Sequence, residues 1–141
     1  MNDPNKFVKE LETKNGFKLK GTGLIKFHLG YNLFRDDHDV LCMAPTKYIE
    51  CLVSNQQQLF RFKPKFRVYC PLENGGHPEL DTSELLDPDE VQKYQSIIGS
   101  SQWSVLLARF DIATGVMTLS SFRSAQRKLQ FERAQRVLSY L

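Results

Sequence analysis

The sequence predicts an α+β fold, an N-terminal helix and β-hairpin followed by a mostly helical second half. Three observations carry it. Residues 94–122 place apolar side chains at spacings of three and four, residues 27–33 alternate apolar with polar, and clusters of Gly, Pro and Asp separate the two patterns. Spacings of three and four align one stripe of a helix, whereas alternation aligns one face of a strand.

Taken in order, Asp3-Pro4 offers a cap and a proline at the first helical position, and Phe7 and Leu11 lie one turn apart. A short helix is expected to about Lys14, stopped by Asn15-Gly16. Phe17 and Leu19, then Leu24, Phe27, Leu29, Tyr31 and Leu33, with Lys26, His28 and Asn32 between them, have the period of a half-buried strand. The polar cluster Arg35-Asp36-Asp37-His38-Asp39 turns the chain, and Val40 to Met43 returns as the hairpin's second strand. Ala44-Pro45-Thr46 opens the next helix, with Tyr48, Ile49, Leu52, Val53, Leu59 and Phe60 on one stripe interrupted by Gln56-Gln57-Gln58. It is expected to pack against the hairpin.

From residue 61 to 87 the periodicity is lost, and Lys63-Pro64-Lys65, Pro71-Leu72 and Gly75-Gly76-His77-Pro78 describe a long connection. Asp87-Pro88, with Glu90 in the first turn, then caps the longest apolar-periodic stretch. Ile97, Ile98, Trp103, Val105, Leu106 and Leu107, then Ile112, Val116, Met117 and Leu119, are expected on the inner face of two successive helices. Arg109-Phe110-Asp111 divides them, with Asp111 as the second helix's cap. A last amphipathic helix over 126–141 turns Phe131, Ala134, Val137, Leu138 and Leu141 inward. The chain thus divides into segments 1–43, 44–87 and 88–141.

With 141 residues and an apolar fraction of 41%, the chain suits one domain or part of a larger one. No run approaches the roughly 20 apolar residues of a membrane span, and MNDPNKFVKE lacks the apolar core of a secretory signal. An intracellular protein, cytoplasmic or nuclear, without a membrane partner is expected. Cys42, Cys51 and Cys70 form no Cys-x-x-Cys pair and read as ordinary thiols rather than a zinc site or disulfide framework. The net charge of +3 conceals an asymmetry of +5 over residues 1–71, −6 over 72–101 and +4 over 102–141. Two basic flanks around an acidic loop suit contact with a polyanion, the loop facing away or steering; the plainer alternative is solvated surface.

Phe34-Arg35-Asp36-Asp37 looks like the aromatic-x-Asp-Asp hairpin on which polymerases hold magnesium, because paired carboxylates are hard-oxygen ligands. Aspartate is also among the commonest turn residues. With Asp39 adjacent and no further acid on the following strand, the turn reading is preferred.

Seven short motifs carry a family resemblance: Phe17-Lys18-Leu19-Lys20-Gly21-Thr22-Gly23, Phe27-His28-Leu29-Gly30, Lys47-Tyr48-Ile49, Pro71-Leu72-Glu73, Tyr94-Gln95-Ser96-Ile97-Ile98-Gly99, Arg109-Phe110-Asp111-Ile112 and Arg133-Ala134-Gln135-Arg136-Val137-Leu138-Ser139-Tyr140-Leu141. In this order they resemble the successive landmarks of copia-type retrotransposon reverse transcriptases, over essentially the whole chain. The sequence departs from the family at Phe110, where proline is common, at Gln126, another frequent proline, and at Leu129-Gln130, near a frequent histidine.

The resemblance implies a fragment of a pol polyprotein: the end of the polymerase palm over 1–43, then thumb and connection towards ribonuclease H. The family's polymerase aspartates lie upstream and its ribonuclease H carboxylates downstream, so no catalytic residue and no cofactor is expected in this fragment, magnesium belonging to the parent enzyme. The abrupt start and the apolar end at Tyr140-Leu141 fit such a cut. The expected partners are an RNA/DNA template-primer and the missing palm and ribonuclease H segments. Thumb elements grip a duplex through its phosphates, which Arg and Lys neutralise irrespective of sequence. Arg123, Arg127, Lys128, Arg133 and Arg136 are the expected contacts, with Lys18, Lys20 and Lys26 as weaker ones. The alternative is a stand-alone helical interaction module with no nucleic-acid role. An N-terminal hairpin deprived of its neighbouring strands is expected to expose an edge and an apolar face, favouring marginal stability or aggregation.

Overall fold

A computed structural model describes residues 4–16, 24–61, 68–73, 75, 77–122 and 124–141. The expected cap Asp3, the strand lead-in at Phe17 and Leu19, Lys63-Pro64-Lys65 and Gly76 lie outside them. The fold is α+β, as expected. Helix α1 (Pro4–Asn15) ends at Gly16, whose φ of 66° suits the left-handed conformation that stops a helix. Strands β1 (Phe27–His28), β2 (Tyr31–Arg35) and β3 (Leu41–Ala44) form an antiparallel sheet in that order.

The hairpin of β2 and β3 is as expected, but the alternating run does not form one strand. Leu29 and Gly30, at φ 47° and 97°, fold it back at a two-residue turn, so Phe27 pairs with Asn32 and His28 with Tyr31. Positive φ at both central residues matches the twist of a tight hairpin, and Gly30 satisfies it without a side-chain clash. A Cβ on Gly30 would stand 2.9 Å from a methyl of Leu107, so this turn is also where the sheet meets the helices. Tyr31 reinforces the contact by donating its hydroxyl to the Leu106 carbonyl at 2.9 Å.

Helix α2 (Thr46–Phe60) packs on β2 and on α3 (Pro88–Leu106), burying Ile49, Leu52 and Gln56. Gln56, expected as part of a polar interruption, belongs to the inner face and donates to the Ser96 hydroxyl at 3.4 Å; Leu59, expected on the apolar stripe, is exposed. α3 begins with the expected cap. The Asp87 carboxylate accepts from the Glu90 amide at 2.8 Å and the Glu90 carboxylate accepts from the Asp87 amide at 3.2 Å.

A short 3-10 turn (Phe110–Ile112) separates α3 from α4 (Ala113–Ser120), and α5 (Lys128–Tyr140) packs across both. The core joins Tyr94, Ile97 and Ile98 of α3 to Ile112, Val116 and Leu119, and to Ala134, Val137 and Leu138 of α5. Trp103, Leu106 and Met117 were expected inside and are exposed. Ser101 and Ser104 take buried positions on α3 instead. Asp111 does not cap α4. Its carboxylate receives hydrogen bonds at 2.8, 2.9 and 3.3 Å from the Arg109 guanidinium, which also lies 5.8 Å from the Tyr140 ring centre, so the junction ties to the end of α5.

Candidate nucleic-acid interface on the C-terminal helix

α5 is amphipathic because Ala134, Val137 and Leu138 face the core while its charged residues fall on the other side. A helix start leaves several backbone N–H groups without intrahelical acceptors. Here the acidic segment before α3 supplies them. The Lys128 amide donates to the Glu84 carbonyl at 3.0 Å, the Leu129 amide to the Ser83 hydroxyl at 3.1 Å, and the Gln130 amide to the Asp81 carboxylate at 3.1 Å. Gln130 itself is buried and donates its side-chain amide to the Pro78 carbonyl at 3.2 Å. The acidic segment therefore does not face away from the basic helix, one of the two placements its charge suggested. It lies on the basic helix, placing carboxylate charge at the helix's positive end.

Four of the five expected phosphate contacts can be placed, and each meets this segment or the stretch before it. Arg127 donates its guanidinium to the Ser83 carbonyl and forms a β-bridge with Leu85. Lys128 holds Glu84 at 2.6 Å, both side chains more than half exposed. Arg136 holds Glu73 at 3.0 Å and its guanidinium lies 3.8 Å from the Cys70 sulfur. Arg133 is half-buried, and its charge acts on Glu79 and Asp81. Arg123, Lys18 and Lys20 lie outside the described residues, and Lys26 sits far in sequence on the sheet side, next to β1.

Electrostatics follow these contacts. The Lys128 ammonium holds the Glu84 carboxyl below its ordinary range, and Glu84 in turn raises Lys128. Burial pushes the Asp81 carboxyl up, but hydrogen bonds from the Ser83 amide and hydroxyl, the Arg133 charge and the Gln130 amide together bring it below the usual value. The Arg109 guanidinium likewise lowers Asp111.

Between Glu73, Leu129, Glu132, Arg133 and Arg136 lies a cleft of about 100 Å³. In two of the side chains that line it, Nη1 of Arg133 and Nε of Arg136 are buried without an acceptor among the described residues. Buried N–H groups of this kind are costly unless something accepts from them. Periodicity found the arginines but not the acidic segment that shapes their surroundings. The signal for it was the run of seven acids against one lysine between residues 72 and 101.

The Asp36-Asp37 turn is occupied by its own backbone. Asp36 Oδ1 accepts from the amides of His38 and Val40, each at 2.9 Å, which closes the turn in the way aspartate commonly does. Among the described residues no three His, Cys, Asp or Glu side chains are grouped to hold a metal ion. Nor is any helix among them long and apolar enough to cross a membrane. Comparisons with protein-family models, with curated proteins and with solved structures found no match.

Proposed function

We propose that the chain is a non-catalytic segment of a copia-type reverse transcriptase, in which α5 helps to hold the template-primer by its backbone phosphates. On this reading residues 1–43 end the palm, and the helices after them are thumb and connection towards ribonuclease H. The family part rests on the seven ordered motifs. The phosphate part rests on one observation, that Arg133 Nη1 and Arg136 Nε, in two side chains lining a small cleft, are buried without an acceptor among the described residues.

A phosphate oxygen supplies what both lack, and arginine binds phosphate with paired, charge-assisted hydrogen bonds. Admitting it requires Glu73 to turn aside. Its side chain is 67% exposed and its ion pair with Arg136 lies at the surface, where such pairs contribute little. Lys128 can exchange Glu84 for a phosphate on the same grounds. Arg127 is different, because its guanidinium serves the Ser83 carbonyl and shapes the helix start.

One observation favours the other reading, an interaction module with no nucleic-acid role: Arg127, Lys128 and Arg136 already bond within the chain. A gel-shift on a primer–template duplex over a range of salt separates the two. Retardation at low salt that fades steeply as salt rises, and that weakens in the Arg133→Ala/Arg136→Ala double variant, supports the phosphate reading. No retardation at low salt contradicts it and leaves the module. Primer extension by this chain with magnesium is expected to be nil on either reading, so measurable extension would overturn both.

A further inference from the structure

Away from α5, the sheet exposes several large apolar side chains. Leu24 is 90% exposed and Leu41 60%, and both line a groove of about 800 Å³ whose floor also includes Ile25, Leu33 and Phe34. Among the described residues, the charged side chains lining that groove, Lys26, Arg35 and Lys47, are all cations. Arg35 shares its charge with Asp39 at 3.4 Å, so Lys26 and Lys47 carry most of the field. The Lys47 ammonium is kept near the sheet by the Phe27 ring, 5.8 Å from its centre.

Strands of a parent palm would pair with the sheet's edge through their backbone; for the groove on its face three other occupants are conceivable, and the groove's chemistry separates them. Nucleic acid wants aromatic platforms and cations, whereas this floor is mainly aliphatic and releases water only against an apolar partner. A symmetric second copy would bring two cationic rims face to face, which costs electrostatic energy. The chain's own acidic segment is already held on α5 through Asp81, Ser83 and Glu84. What remains is a partner that is apolar and acidic at once. We propose that this groove binds a peptide segment of another protein that presents leucine or phenylalanine side chains flanked by carboxylates. The apolar side chains cover Leu24, Ile25 and Leu41, and the carboxylates meet Lys26 and Lys47. This stands independently of phosphate binding at α5.

The test uses the whole chain and two fluorescent peptides of equal leucine and phenylalanine content, one with glutamate and one with lysine between them, followed by anisotropy. The glutamate peptide should bind at least about tenfold more tightly than the lysine peptide. The Lys26→Glu/Lys47→Glu variant, with unchanged circular dichroism, should reverse that order, and Leu41→Asp should weaken both peptides. Equal binding of the two peptides, no binding of either, or an unchanged preference in the double variant overturns the proposal. So does displacement of the glutamate peptide by a single-stranded oligonucleotide, or a discrete dimer in sedimentation that closes the groove.

Discussion

Tyr94 shows how single residues hold this fold. Buried on α3, it donates its hydroxyl to the Leu119 carbonyl at 2.6 Å, and burial pushes its phenol well above the ordinary value. Tyr94→Phe should leave that carbonyl unsatisfied and lower stability by about 1–2 kcal/mol, read from urea unfolding. Asp87→Ala should cost about 1 kcal/mol by removing the capping box, with a matching fall in Tm. Gly30→Ala is expected to be at least as damaging, because it combines a φ of 97° with a contact of 2.9 Å to Leu107. The Asp87 cap was legible because its signal is local, an Asp-Pro pair followed by Glu90. The turn at Leu29 and Gly30 was not. Leu-Gly is a weaker turn signal than Asn-Gly, and the alternation of apolar residues continues unbroken through it.

At the scale of elements, helix positions followed from periodicity, but which side of each stripe is buried did not. α3 meets α5, α4 and α2 along a buried stripe of Tyr94, Ile97, Ile98, Ser101 and Ser104, so its inner surface includes the two small serines, while Trp103 and Leu106 remain outside. A spacing pattern treats a serine as polar; close packing of helices treats it as small. The acidic segment is the element that sequence reasoning placed least well, since loop composition carries no information about what the loop rests on. Its partnership with α5 predicts acid sensitivity. Asp81 and Glu84 of this segment, and Asp111 at the α3–α4 junction, have folded pKa values below their ordinary ones, so their contribution is present above the unfolded carboxylate range, near pH 4. It is lost as pH falls through the lower folded values. Urea midpoints should therefore drop below about pH 4, and Asp81→Asn should reduce that drop. A midpoint that does not change with acidification would show that these contacts contribute nothing.

For the whole molecule, the α+β class was readable from two periodicities in two halves of the chain. The relation between the halves was not, because it depends on the approach of the Leu29–Gly30 turn to Leu107 and on Tyr31 reaching Leu106. Charge at this scale is organised in pairs: the acidic middle lies on the basic C-terminal helix, which leaves the cations around the sheet as the less compensated set. Leu138→Ala, in the core shared by α3, α4 and α5, should cost about 2–5 kcal/mol in equilibrium unfolding. The proposal that depends most on this arrangement is that α5 offers phosphates two guanidinium nitrogens, Arg133 Nη1 and Arg136 Nε, that lack an acceptor among the described residues. Its most direct test is NMR of the arginine Nε–H groups during titration with a primer–template duplex at low salt. The Arg136 and Arg133 resonances should shift together and return when salt is raised. Shifts confined to arginines elsewhere, with these two unmoved, would contradict it.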